Sequence, residues 1–153
     1  MAESRSSEGN HARSPSVAPV IRYASRTDVA DILALWAAAD ALPTITDNAD
    51  SLGILIEHDP KAMIVAELEG RVVGAVIASW DGWRGSVYRL AVAPEHRRLG
   101  WGQRLLDAAQ ARLAEVGARL WQAIVAQTDP AAMGFWPQSG WQEQTQRVRF
   151  VKE

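Results

Sequence analysis

The sequence predicts an α/β fold: a mixed, mostly antiparallel central sheet flanked by helices. Two observations carry this. Three apolar runs, Ala62–Leu68, Arg71–Trp80 and Ser86–Ala93, follow one another across two short turns. Those turns, Glu69-Gly70 and Asp81-Gly82-Trp83-Arg84-Gly85, are what consecutive antiparallel strands need. On both sides of this block stand segments whose apolar residues recur at helical spacing, so the element order reads β-α-α-β-β-β-α-β-α-β.

Each element has its own local reason. Val20 to Ala24 is a short first strand. Thr27 is the expected N-cap of a helix with Asp28 in its first turn, and Val29, Ile32, Leu33, Leu35 and Trp36 follow helical spacing. A second helix spans about Asp50 to His58, with Pro60 just past it. A third begins after Gly102 and buries Leu105, Leu106, Ala109, Leu113 and Val116, close to a 3.6 period. Gly117 is suited to stop it. Leu120 to Val125 is the next strand. Asp129 as N-cap and Pro130 at the first helical position open a last helix, which Pro137 and Gly140 should end. Thr145 to Val151 reads as a final strand with Val148 and Phe150 on one face. Residues 1–19 are rich in Ser, Arg, Gly and Pro and cannot bury enough to offset their ordering entropy. They are expected to be a disordered tail preceding one domain, 20–153.

Composition bounds the function. The 153 residues suit a single domain, which typically takes ~100–200. A net charge of −2 argues against a dedicated nucleic-acid binder. The absence of cysteine excludes disulfides, thiolate metal sites and cysteine nucleophiles. His11, His58 and His96 are too scattered for a zinc site, so no metal is expected. No apolar run approaches the ~18 residues of a membrane span, and the N-terminus lacks a signal-peptide core, so a cytoplasmic location is expected. The seven tryptophans read first as core packing.

The most informative stretch is Leu90-Ala91-Val92-Ala93-Pro94-Glu95-His96-Arg97-Arg98-Leu99-Gly100-Trp101-Gly102-Gln103-Arg104-Leu105-Leu106. An apolar strand ends at a proline, and a basic, glycine-containing loop leads straight into a helix. Gly100 and Gly102 let the backbone turn tightly and approach a ligand. Free amides of the loop and first helical turn then form an anion site at the positive end of the helix dipole. A P-loop does not fit, since no Gly-Lys-Ser/Thr follows. A dinucleotide fingerprint lacks its third glycine and ribose acid.

This Arg-x-x-Gly-x-Gly loop between strand and helix resembles the acetyl-CoA pyrophosphate loop of the GNAT (Gcn5-related N-acetyltransferase) superfamily. Asp129-Pro130-Ala131-Ala132-Met133-Gly134-Phe135-Trp136-Pro137-Gln138-Ser139-Gly140-Trp141 resembles the family's later Asn-x-x-Ala-x-x-Phe-Tyr-x-x-x-Gly-Phe segment. The Asp-Gly-Trp-Arg-Gly turn resembles a bacterial subgroup of small one-domain members. The resemblance covers roughly residues 20–152. It implies the acyl-CoA N-acyltransferase fold, acetyl-CoA as cosubstrate, and direct attack of a neutral amine on the thioester with loss of CoA thiolate. It further implies that the backbone of Leu90, Ala91 and Val92 binds the pantetheine arm and offers an oxyanion donor. The loop Arg97, Arg98, Leu99, Gly100, Trp101 and Gly102 would hold the pyrophosphate. Asp129 would accept from a pantetheine amide, or simply cap its helix. Phe135 would pack on the pantetheine or in the core.

Two departures matter. Trp136 stands where the family usually has the tyrosine that protonates the leaving thiolate, and an indole N–H is not a usable acid. The strand 86–92 carries no carboxylate where many relatives place a glutamate base. Candidates for the proton transfers are Asp81, Glu67 and Tyr88, each with a plain alternative as turn former, edge carboxylate or packed aromatic. The expected partner is an amine-bearing small molecule or a protein amine, with no nucleic acid and no membrane; a homodimer is left open. The competing reading is a catalytically weak acyl-CoA-binding or regulatory domain on the same fold.

Overall fold

The computed structural model describes residues 19–153, so the expected tail lies outside the described residues except for Pro19, which is buried. Five strands form one sheet in sequence order: β1 (Val20–Tyr23), β2 (Met63–Leu68), β3 (Arg71–Trp80), β4 (Gly85–Val92) and β5 (Trp121–Ala123). The first four pair antiparallel, and β4 pairs with β5 in parallel. The helices are α1 (Val29–Ala38), α2 (Ala49–His58), α3 (Trp101–Glu115) and α4 (Pro130–Gln138).

Alternation along β2 and β3 explains the layering. Met63 and Val65 join Ala75 and Ile77 in a cluster under α1 and α2, where Ile32, Leu35, Trp36, Leu52 and Ile56 are buried. Ile64, Ala66, Val76 and Val87 face the other way and pack against Leu105, Leu106, Ala109 and Leu113 of α3. Both faces of these central strands are covered, so they read as continuous apolar runs. Each fully buried Leu or Ile contributes about 1.5–3 kcal/mol.

The turns obey local chemistry. Glu69 (φ 50°) and Gly70 (φ 79°) both adopt the left-handed conformation that a two-residue hairpin loop requires. In the next turn the Asp81 carboxylate accepts from the amides of Trp83 and Arg84 at 2.8 and 2.7 Å. Gly117, at φ 82°, ends α3 as expected.

The entry to α1 differs from the expectation at Thr27. A short 3₁₀ turn, Arg26–Asp28, precedes the helix, and Ser25 caps that turn in a reciprocal capping box with Asp28. Asp28 is buried here and accepts two bonds from Arg22, both 2.8 Å. The hydrogen bonds from Arg22 hold the Asp28 carboxyl below its ordinary pKa against the opposing effect of burial. A carboxylate with a lowered folded-state pKa stabilises the fold above its unfolded pKa of about 3.9, and that contribution is lost as pH falls through the lower folded value. Asp28→Asn should therefore lower the melting temperature at pH 7, with the gap to the unsubstituted protein closing below about pH 4. A gap constant across that range would disprove this account.

Two further expectations are corrected. Pro137 does not end α4, which runs on to Gln138. A proline in the final turn costs only one amide bond, and the chain leaves the helix immediately after it. The final strand Thr145–Val151 is not formed: residues 142–153 are all exposed and carry no strand, with Phe150 90% exposed. Alternation sets which side of a strand is apolar, but a strand needs a partner, and none of the described strands pairs with this segment.

Candidate functional site

The site originates where β4 and β5 part. They pair only over Gly85–Val87 with Trp121–Ala123. Beyond that, β4 continues to Val92 while β5 has ended, so residues 88–92 face an open wedge on that side. Leu90, Ala91 and Val92 line it and are half-buried.

A β-bulge lies at the apex of this wedge. Ala75 pairs with Ala91 and Ile77 with Tyr88, so Val76 alone spans both Arg89 and Leu90. Arg89 takes a left-handed φ of 53° there. A bulge leaves the extra residue outside the ladder and re-aims the side chains around it. Val87, Leu90 and Val92 pack with the α3 cluster, whereas Ala91 packs under α1. Arg89 also reaches to the α1 side, donating to the Leu42 carbonyl at 2.9 Å.

The wedge opens onto the glycine loop. Arg98 (φ 63°) and Gly100 (φ 84°) are both left-handed, and Gly100 is the N-cap of α3. The helices α2 and α4 have Asn48 and Asp129 as N-caps, whose side chains accept from Ser51 and Ala132. Gly100 has no side chain to do this. Among the described residues the amides of Trp101, Gly102 and Gln103 therefore meet no acceptor, as suits an anion site. No atom of the described residues lies within 4 Å of a Cβ built at Gly100, whereas one built at Gly102 would meet the Phe135 ring at 3.6 Å and Val92 at 3.9 Å. Gly102, Phe135 and Val92 are thus brought together where the loop meets the wedge.

The arginines of the loop behave differently. Arg97 turns back on the protein, its guanidinium donating to the carbonyls of Val92 (3.4 Å) and Ala39 (3.3 Å). Arg98 and Leu99 are exposed. The indole of Trp101 folds inward, with its N–H buried and without a partner among the described residues, and the Arg104 guanidinium lies 5.1 Å from its ring centre.

An aromatic cluster holds α4 against α3. Phe135 and Trp136 stack edge-on at 5.7 Å, and Trp136 and Trp141 at 4.8 Å. The Trp141 indole donates to Gln110 at 3.1 Å, and the Ser139 hydroxyl donates to Gln103 at 2.8 Å. Trp136 is therefore wedged between two rings. Asp129 caps α4, accepting from Ala132 at 3.1 Å.

The three residues considered for proton transfer lie far apart in the fold. Glu67 stands on β2 and accepts from Arg22 at 2.6 Å, in the ion-pair network that opens α1. Asp81 occupies the β3–β4 turn, where the backbone amides of Arg84 and then Trp83 hold its carboxyl below the usual range. An open hollow of about 490 Å³ adjoins that turn, bounded by Trp83, Gly117 and Leu120, and includes no residue of the glycine loop. Tyr88 alone adjoins the bulge, partly exposed and paired across from Ile77. The residue that sequence reasoning missed is Arg89. A non-glycine residue in a strand gives no local sign that it sits on a left-handed bulge; its only signal was a charge in an otherwise apolar strand.

The sequence matches the profile of the acetyltransferase (GNAT) family over residues 29–141. It is 29% identical over 124 residues to an acetyltransferase of Yersinia pestis (strain Pestoides F), covering 81% of this chain and 88% of that one. Among solved structures it resembles Ard1 from Thermoplasma volcanium, with a TM-score of 0.73, 22% identity, and coverage of 81% of this chain and 82% of the other. It also resembles the PaiA N-acetyltransferase of Thermoplasma acidophilum in complex with coenzyme A, with a TM-score of 0.71, 14% identity, and coverage of 80% and 88%.

Proposed function

Because the chain belongs to the acetyltransferase (GNAT) family, we propose that the wedge between β4 and β5 is where it performs acetyl transfer. The protein is an acetyl-CoA-dependent N-acetyltransferase acting on an amine acceptor. The observation that carries the assignment of the site is the open side of β4 at residues 88–92, leading directly to the unclaimed amides of α3. The residues present fit the cosubstrate. The backbone of Leu90, Ala91 and Val92 offers strand-like hydrogen bonds to the amides of a pantetheine arm. The loop Arg97–Gly102 and the first turn of α3 offer donors to a pyrophosphate, with no Cβ at Gly100 to obstruct it. Phe135 closes the same corner against Gly102. Asp129 serves as a helix cap.

Acetyl-CoA supplies an acetyl thioester, whose carbonyl carbon is open to attack by a neutral amine. The chain's part is to bind, orient and move protons. A backbone amide at the bulge is placed to donate to the carbonyl oxygen as charge develops, an effect worth a factor of about 10²–10³. Tyr88, beside the bulge, is the group best placed to relay a proton from the amine, since Glu67 and Asp81 are engaged elsewhere. A thiol of pKa about 8.5 leaves as thiolate near neutral pH without a strong acid, which makes a tryptophan at 136 tolerable. The acceptor is a primary amine on a small molecule or a protein.

Calorimetric titration with acetyl-CoA, followed by thiol release with a panel of primary amines, tests the reading. Saturable binding and amine-dependent release are expected. Binding without release with any amine would reassign the protein to acyl-CoA carriage, and no binding would remove the site.

The position of Trp136 makes a separate prediction. Its ring is packed edge-on between Phe135 and Trp141, so it acts by filling space. Trp136→Phe should retain most of the turnover at a modest cost in melting temperature, and Trp136→Tyr should be neutral or faster. Loss of turnover in Trp136→Phe with acetyl-CoA affinity and melting intact would give the indole N–H a direct role.

A further inference from the structure

Arg89 combines three features that no structural need of β4 explains. It is a charged residue in an apolar strand, it holds a left-handed φ of 53°, and its side chain leaves its own sheet to reach the loop between α1 and α2. A non-glycine residue in that conformation costs about 1–2 kcal/mol. Something must offset that cost. The guanidinium donates to the Leu42 carbonyl at 2.9 Å, to the Thr44 hydroxyl at 3.4 Å, and to the Asp47 carboxylate in a close ion pair. Both side chains of that pair are largely shielded, 19% and 16% exposed. The guanidinium carbon also lies 5.4 Å from the ring centre of Trp36, which is buried in α1. A cation over an aromatic face and a shielded ion pair are each stronger than their exposed counterparts.

The loop gripped in this way has its other ties at its first residues, where Arg97 donates to the Ala39 carbonyl at 3.3 Å and Ala41 packs against the core under α1. Leu42 and Ile45 are 68% and 64% exposed, so apolar burial does not fasten the stretch that follows. Its internal bonds, from the Thr44 amide to Asp47 at 2.8 Å and from Asn48 to the Ile45 carbonyl at 2.8 Å, shape the loop but do not attach it to the sheet. For residues 42–48 Arg89 makes that attachment, its Nη2 reaching Leu42, Thr44 and Asp47 from the bulge itself.

We propose that Arg89 is a positioning residue: it latches the loop 39–48 onto the β4 bulge, and so builds the acceptor-side wall of the transfer site. The placement rests on the reading of the β4–β5 wedge as that site. The wall has two effects. It gives the acceptor amine a fixed surface on the α1 side of the bulge. It also limits water, which otherwise attacks the thioester carbonyl carbon, breaks its C–S bond, and leaves acetate and the CoA thiol.

Arg89→Gly is the appropriate variant, because glycine accepts the left-handed bulge without strain and removes only the side chain. Three measurements on the full chain decide the question. Amide hydrogen exchange across residues 39–48 should accelerate at least tenfold in Arg89→Gly. Acetyl-CoA affinity should stay within twofold, since the cosubstrate is read as held by the backbone of Leu90–Val92 and by the glycine loop, and the Arg89 side chain belongs to neither. Thiol release from bound acetyl-CoA without any amine should rise at least fivefold as water enters. Arg89→Lys, which keeps the charge but has a more strongly hydrated head and no planar group to lie over Trp36, should fall between the two proteins in exchange and in hydrolysis. Unchanged exchange in 39–48 would overturn the latch. Faster exchange with unchanged hydrolysis would overturn the wall. Failure of the unsubstituted protein to bind acetyl-CoA would instead reject the assignment of the wedge, and leave the exchange result to judge the latch alone.

Discussion

Gly100→Val should weaken acetyl-CoA binding by at least tenfold, about 1.4 kcal/mol or more, while the protein remains folded. Gly100 is the N-cap of α3 at φ 84°, and a Cβ there meets nothing within 4 Å. The open space is the point of the prediction. The substitution does not collide with the protein, so its first effect falls on whatever approaches the loop from outside. A β-branched residue also resists the left-handed backbone, by about 1–2 kcal/mol, and would pull the free amides of Trp101–Gln103 out of line. Strain alone could mimic this, and the chain contains its own control. Gly117, at the other end of α3, has φ 82° and equally open surroundings. Gly117→Val should cost similar stability and leave acetyl-CoA affinity intact. Calorimetry on the pair separates strain from obstruction, and equal loss of affinity in both would defeat the assignment of the loop. Gly102→Ala should be milder, because a Cβ at 3.6 Å from Phe135 is an ordinary contact.

The contrast between Gly100 and Arg89 shows what could be read from the chain. Features encoded within a few residues were legible: Glu69-Gly70 as a hairpin loop, Asp81 as a turn former, Gly117 as a helix stop, Asp129-Pro130 as a helix start, and Gly100 as a tight turn into α3. Each depends on a backbone conformation or a hydrogen bond that neighbouring residues create. Features requiring distant partners were not legible. Glu67 looked available as a base, but its partner Arg22 is 45 residues away. The strand expected at 145–151 has the right alternation and no neighbour. The bulge at Arg89 arises because β3 and β4 slip register at Val76, a property of the pair and of neither strand. Arg112 is intermediate. It falls on the apolar face of α3 beside Ala109 and Leu113, and a charge on such a face is a readable sign of a buried partner, though it does not name Asp59.

That pair carries the largest expected effect on stability. Arg112 is 6% exposed, donates to the Ala78 carbonyl at 3.0 Å and to Asp59 at 2.6 Å, and so joins α3 to β3 and to the end of α2. Arg112→Ala removes all of this at once. It takes the Arg112 donor from the Ala78 carbonyl, leaves the Asp59 carboxylate with the Lys61 amide at 3.3 Å, and removes a buried side chain from the face of α3. Breaking a buried pair from one side typically costs about 3–5 kcal/mol, because the remaining charge stays desolvated. Asp59 is 20% exposed and can recover some water, which places the expected loss near the lower end. Arg112→Met fills that space and removes the charge, yet still abandons Asp59. The double variant Arg112→Met with Asp59→Asn removes the stranded charge as well and should recover much of the loss. Urea denaturation of the unsubstituted protein, Arg112→Met, Asp59→Asn and the double variant closes the cycle, with Arg112→Ala measured beside them. If Arg112→Ala costs less than about 1 kcal/mol, the pair behaves as an exposed one and α3 is held by its leucines alone. Acetyl-CoA affinity should be unaffected throughout wherever the variants stay folded, since Arg112 lies three helical turns from Gly100 and contacts neither the wedge nor the loop.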